Sequence, residues 1–163
     1  MSTSTQLDAW AKARAPLQGQ FLGFYSVNTL PHPREVARAV PCCLIVNYDP
    51  ETLPGSHWVA CLVFPNEVCW FDSYGLPPDA PDLIIGHKTL FRAWLRNICA
   101  HLSISVYEYN KADLKGWTAK TCGHWSLHFC KHGPSSGWGE FGPDRDKNDR
   151  RIRELVVLKD QAL

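Results

Sequence analysis

No stretch of this 163-residue chain approaches the roughly 18 consecutive apolar residues that a membrane-spanning helix requires. The opening residues, Met1-Ser-Thr-Ser-Thr5, lack the basic and apolar regions of a signal peptide, so a protein that is not secreted is expected. An excess of one charge is missing too. Seventeen Lys and Arg stand against 16 Asp and Glu, a net charge of +1 that supplies no overall basic field for nucleic acid. The charge-rich stretch from Asp144 to Arg153 alternates in sign and reads as a solvated helix face. Internal repeats are absent, and residues 1–163 read as a single domain, long enough to bury about two thirds of its unfolded surface. A paired cysteine set is also lacking. There are seven cysteines, Cys42 and Cys43 are adjacent, and most of the others sit in apolar patterns. That is poor material for a disulfide framework and fits a reducing compartment, in which a free thiol persists and can react.

What the chain has is a core: 45% hydrophobic residues, with seven Trp and seven Phe. A helix is expected over Thr5–Arg14, with Leu7, Trp10 and Ala11 on one face. Phe21–Val27 is β-compatible and ends in Leu30-Pro-His-Pro33, read as a rigid extended turn. Cys42-Cys-Leu-Ile-Val46 is a continuous apolar run of the kind buried on both faces. Asp49 to Gly55 is turn chemistry. His57–Phe64 and Val68–Asp72 read as strands joined by a tight turn at Pro65-Asn66, an antiparallel hairpin. Helical spacing returns over His87–Leu102, alternation over Ser103–Tyr109, and a last helix is expected from Asp146 to Leu158. The class is α+β, a mixed sheet of about four or five strands with helices packed on it.

The stretch Lys120-Thr-Cys-Gly-His-Trp-Ser-Leu-His-Phe-Cys130 places Cys122 where a polar loop turns into a helix-compatible run. Unpaired N–H groups and the positive end of the macrodipole at a helix N-terminus favour thiolate over thiol. Gly123, without a Cβ, leaves room for a substrate to approach the backbone. A thiolate needs an imidazole to hold and return its proton, and an acid to orient that imidazole. His57 opens a strand after a turn, and Asp72 closes the next strand. The turn at Pro65-Asn66 brings the two side by side, with a register error of one or two residues. Taken singly, each of the three is more simply a structural residue. Together they form a geometric proposition.

The segments "NYDPETLPGSHWVACLVF", "VCWFDSYGLPP" and "TCGHWSLHF", with the earlier "FLGFYSVNTLP", resemble the adenovirus-type cysteine proteases, the adenains. They look closest to the versions carried by adenovirus-like viruses and virus-like transposons. The pattern is similar, more distantly, to the ubiquitin-like-protein proteases. By position, the resemblance implies Cys122 as nucleophile, His57 as general base and acid, and Asp72 as the orienting acid. It implies an oxyanion hole built from backbone N–H groups at Cys122 and Gly123 and a side-chain donor a few residues earlier. Relatives place a glutamine there, whereas this chain has Lys115 and Gly116. Lys115 is the substitute donor, with the Trp117 indole as another. Trp58, with Gly55 and Ser56 in the turn before it, falls at the cleft wall as substrate-binding; for Trp58 a core aromatic is an equal reading. The resemblance further implies polypeptide substrates, namely viral precursor proteins cut after small residues such as glycine during virion maturation. The location would be the host nucleus or cytoplasm and the virion. It implies activation by a peptide or by DNA, though no concentrated basic patch supports DNA, and neither a cofactor nor a membrane is called for.

Three other readings compete. His124, His128 and His132 recur every four residues, with Cys130 near the third, a spacing that zinc sites use. With no further ligand pair elsewhere, an amphipathic helix with a partly exposed histidine side is simpler. A catalytically weak or inactive protease-fold protein acting as a virion-associated binding protein draws its support from Lys115. An acyltransferase would use the same thioester.

Overall fold

The computed structural model describes residues 4–13, 19–49, 52, 57–80, 91–116, 119–135 and 137–157. Within them the elements run α1 (Ser4–Ala13), β1 (Gln20–Ser26), α2 (Pro33–Arg38), β2 (Cys42–Asn47), β3 (Trp58–Phe64), β4 (Glu67–Phe71), α3 (Phe91–His101), β5 (Glu108–Tyr109), α4 (Cys122–His132) and α5 (Arg145–Leu155). The five strands form one sheet in chain order. β1 and β2 are parallel, β2–β3 and β3–β4 antiparallel, and β4–β5 parallel. The fold is the expected α+β class with a mixed sheet.

The sheet has helices on both faces, which is why β2 is apolar from Cys42 to Val46 and every one of its residues, the closing Asn47 included, is buried. On one face Cys43, Ile45, Ala60, Leu62 and Phe71 pack against Leu7 and Trp10 of α1, Trp125, Leu127 and Phe129 of α4, and Ile152 of α5. On the other, Leu44, Val46, Val59, Cys61 and Trp70 meet Val36 of α2 and Phe91, Trp94, Leu95 and Ile98 of α3. Successive residues of β2, β3 and β4 alternate between the two clusters, as the period of two demands, up to Val46 in β2. The β3–β4 hairpin turns at Pro65-Asn66, with Phe64 opposite Glu67 and Ala60 opposite Phe71.

Three expectations need correction, and a fourth lies partly outside the described residues. Leu30–Pro33 is less a turn than an entry into α2. Pro33 occupies the first helical turn, where its missing N–H costs nothing, and the His32 ring accepts from the Arg34 N–H at 3.1 Å. The strand expected over Ser103–Tyr109 shrinks to Glu108–Tyr109. Ser103 adopts φ +57° and the Ile104 N–H bonds back to the Cys99 carbonyl at 2.9 Å, so the start of that stretch closes α3. Val106 is 62% exposed, because no layer covers the face it presents. The helix expected over His87–Leu102 is described from Phe91 to His101, its first residues lying outside the described ones. Finally α5, capped by the Asp144 side chain accepting from Lys147 at 3.0 Å, is not a purely solvated face: Asn148, Asp149 and Ile152 are buried.

Candidate active site

Cys122 is the first residue of α4, and its sulfur is buried where that helix meets the start of β3. The Trp58 backbone N–H donates to it. The Ser126 hydroxyl, one turn into the helix, donates to the Trp58 carbonyl at 3.2 Å and ties the two elements together. The residue before Trp58 is His57, and its imidazole lies close enough to the Cys122 sulfur for each to shift the other's pKa.

Continuing the hairpin ladder puts Val59 opposite Asp72. His57 therefore stands two residues farther along, a diagonal neighbour on the same face. That offset suits an imidazole reaching across to a carboxylate: His57 Nε2 lies 2.8 Å from Asp72 Oδ1. With Nε2 committed to Asp72, Nδ1 is the nitrogen left for the sulfur. Asp72 is fully buried and its acceptors are met. Oδ1 also accepts from the Tyr74 N–H at 2.9 Å, and Oδ2 accepts a short bond from the Tyr48 hydroxyl. The Asn110 side chain brackets the aspartate backbone, donating to its carbonyl at 2.7 Å and accepting from its N–H at 2.9 Å. The His57 ring is held between Tyr74, stacked at 4.9 Å, and Tyr48, edge-on at 5.1 Å.

The electrostatics follow from these contacts. Burial by itself lowers the His57 pKa, but the hydrogen bonds to Asp72 and Cys122 and their charges overcome it and raise it to about 9. Burial raises that of Cys122, yet the bond to His57, its charge, the Trp58 N–H and the Lys115 ammonium bring it below the ordinary thiol value. Asp72 is held below the ordinary carboxylate value, the His57 and Tyr48 bonds outweighing burial. Each contact favours the charged form: thiolate on Cys122, imidazolium on His57 and carboxylate on Asp72.

Lys115 is 3% exposed, unusual for a lysine. Its ammonium donates to the Tyr74 hydroxyl at 2.6 Å and to the Gly116 carbonyl at 3.2 Å, and it lies 4.3 Å from the Tyr74 ring centroid. Of its three N–H donors, these two bonds engage two.

The other expected site residues fare variously. Gly55, Ser56 and Trp117 lie outside the described residues. The Trp58 side chain joins the core, 5.8 Å from Phe24, so the core reading applies to it. The space that Gly123 leaves is taken up by α1: a Cβ there would sit 2.7 Å from Leu7 Cδ2, so this glycine serves helix packing in place of substrate approach. His124 and His128 are buried, so the expected partly exposed histidine side is reduced to His132. Burial drives both down to about 4. His128 Nε2 donates to the Gly137 carbonyl at 2.7 Å, and Cys130, a free thiol, lies buried beside the free thiol of Cys43 in β2. Reading the sequence alone missed Tyr48, Tyr74 and Asn110. The first two flank the recognised histidine and aspartate motifs ("NYDP", "FDSYG") and could have been suspected there; Asn110 carries no local signal.

No protein-family model matches the chain, and no curated protein matches it by sequence. Among solved structures it is similar to the ASFV pS273R protease, with a TM-score of 0.44 and 19% sequence identity over 71% of this chain and 43% of that one. The chain thus spans less than half the length of that protease.

Proposed function

We propose that this chain is a cysteine endopeptidase in which Cys122, His57 and Asp72 do the chemistry. What carries the reading is one unbroken series of contacts: sulfur to imidazole to buried carboxylate, at the mouth of a helix. The Cys122 thiolate attacks the scissile carbonyl carbon. The tetrahedral oxyanion is met by the Cys122 N–H and by the remaining N–H of the Lys115 ammonium. His57, already protonated, gives its proton to the leaving amine, and a thioester remains on the sulfur. Water attacks that thioester as His57 takes its proton back, and the acid product leaves. Asp72 holds the ring in the productive orientation throughout and does not itself change charge.

Lys115 stands where relatives of the resembling family have glutamine. A buried ammonium is the stronger donor to a developing anion, and the Tyr74 hydroxyl and Gly116 carbonyl supply the preorganisation a free lysine lacks. The motif resemblance supplies the finer reading: viral precursor polypeptides cut after small residues such as glycine, during virion maturation, in the host nucleus or cytoplasm and in the particle. An activating peptide belongs to the same reading. The test is turnover of a Gly-Gly-type fluorogenic peptide by the wild type, Cys122→Ala and Lys115→Gln. Wild-type turnover lost in Cys122→Ala supports the reading, and equal rates in those two end it. A Lys115→Gln faster than wild type would remove lysine from the oxyanion role.

A further inference from the structure

Beside the reacting groups, one buried carboxylate has no part in the chemistry above. Asp149 of α5 is only 5% exposed, and both of its oxygens are engaged. Oδ2 accepts from the Gly116 N–H at 2.8 Å. Oδ1 accepts from the Thr121 hydroxyl at 2.6 Å and from the Trp125 indole N–H at 3.3 Å. Those donors are the residue after Lys115, the residue before Cys122, and a side chain one turn into α4. The preceding residue, Asn148, donates to the Leu114 carbonyl at 3.2 Å, so the backbone on either side of Lys115 is gripped by consecutive residues of α5. Asn148 also exchanges bonds with the Gly142 backbone, which anchors it independently.

The Thr121 hydroxyl adds a second observation. A threonine at the N-cap ordinarily accepts from an N–H of the first helical turn and removes it from use. Thr121 occupies that position but makes no such bond; its hydroxyl is turned to Asp149 instead. The mouth of α4, where the oxyanion must be received, is left without a side-chain cap. Gly116 shows how closely the carboxylate is seated, since a Cβ there would lie 2.9 Å from Asp149 Oδ2.

We propose that Asp149 is the positioning residue of the oxyanion site: it fixes the spacing between Lys115 and Cys122 and holds the Thr121 hydroxyl off the N–H groups at the helix mouth. This rests on the peptidase reading of Cys122 and adds to it a role for α5 that touches neither substrate nor sulfur. Charge-assisted bonds of this kind are stronger than neutral ones, which suits a brace that must hold two loop ends against a helix.

The experiment compares wild type with Asp149→Asn, whose amide cannot accept at both positions, and with Gly116→Ala, which crowds the carboxylate without removing it. The readouts are kcat and KM on the Gly-Gly fluorogenic peptide, and the rate of Cys122 alkylation by iodoacetamide across pH. Misplacement of an oxyanion donor lowers kcat between about tenfold and about a hundredfold, with KM changed by less than about twofold. The alkylation rate and its midpoint pH move little beside kcat, because Cys122, His57 and Asp72 are untouched and the Lys115 charge is the last of the influences that lower the thiol. Should Asp149→Asn fail to fold, the same split in Gly116→Ala carries the decision. An unchanged kcat in the folded variant, or alkylation falling in step with kcat, would overturn the proposal. Wild type turning over no faster than Cys122→Ala would sink the peptidase reading itself, a result distinct from active wild type with an equally active Asp149→Asn.

Discussion

Two kinds of buried histidine occupy this molecule, and they have been driven in opposite directions. His57 is 7% exposed, and His124 and His128 are 3% exposed each, so all three have left water to a similar degree. Yet His57 is raised to about 9, and the other two are lowered to about 4. Desolvation is the leading cause in every case and always acts downward. The difference is company. His57 faces the Asp72 carboxylate and the Cys122 sulfur, whereas His124 has Arg153 nearby; around His128, burial with the His132 ring and the Lys131 side chain outweighs the Gly137 carbonyl bond and the Glu140 charge. Burial sets how strongly neighbouring charges act; their sign decides which protonation state survives. One helix, α4, thus carries at its first residue a thiol lowered by a neighbouring imidazole, and behind it two imidazoles that burial pushes toward the neutral form.

The strongest way to break the contrast is His57→Ala. It should lower turnover by about a millionfold, the scale of losing a nucleophile's base, and move the midpoint of Cys122 alkylation up toward the free-thiol value. The sign follows from the pair: a thiolate forms as pH rises, and a partner that favours it shifts that rise to lower pH. Asp72→Asn should cost about ten-thousandfold by loosening the ring and mis-setting its tautomer, with alkylation moving the same way by less. A retained wild-type alkylation profile in either variant would separate Cys122 from His57.

Stability should show the contrast too. The unfolded imidazoles of His124 and His128 bind protons near 6.5, but the folded ones resist down to about 4. Their contribution is present above pH 6.5 and lost as pH falls through about 4, at most about 3 kcal/mol each. His57, raised in the folded state, contributes fully below 6.5 and loses that contribution as pH climbs through about 9. Urea unfolding across pH should therefore fall away on the acid side with two buried histidines protonating. A stability flat from pH 7 to pH 4 would contradict the assignment. The smallest effect is expected for His124→Leu. Its Nδ1 has no hydrogen-bond partner among the described residues, so removing the ring should alter stability at pH 7 by no more than about 1 kcal/mol and soften the acid limb.

Local pattern carried a good part of this protein. The hairpin at Pro65-Asn66 was readable because its turn and two apolar runs lie within sixteen residues from His57 to Asp72, and that hairpin is what brings the histidine to the aspartate. The helix at Cys122 was readable from a polar-to-apolar change. Other features escaped for identifiable reasons. Pro33 ends many helices and starts others, and the His32 cap that chooses here is a side-chain contact. The alternation of Ser103–Tyr109 matched a strand, but only Glu108 and Tyr109 find β4 as a partner. The histidines of α4 looked solvent-facing at helical spacing, whereas the aromatic residues Trp138 and Phe141 close over His128.

Sequence alone was enough for the β3–β4 hairpin and for the helix mouth at Cys122, since these depend on short-range periodicity and turn chemistry. Tertiary structure decided which buried histidine is pushed toward the charged form, that Tyr48 and Asn110 complete the aspartate's shell, and that α5 returns Asp149 to the loop ahead of the cysteine. Those outcomes rest on contacts between residues up to 38 positions apart, where desolvation and charge act through space and leave no period in the chain.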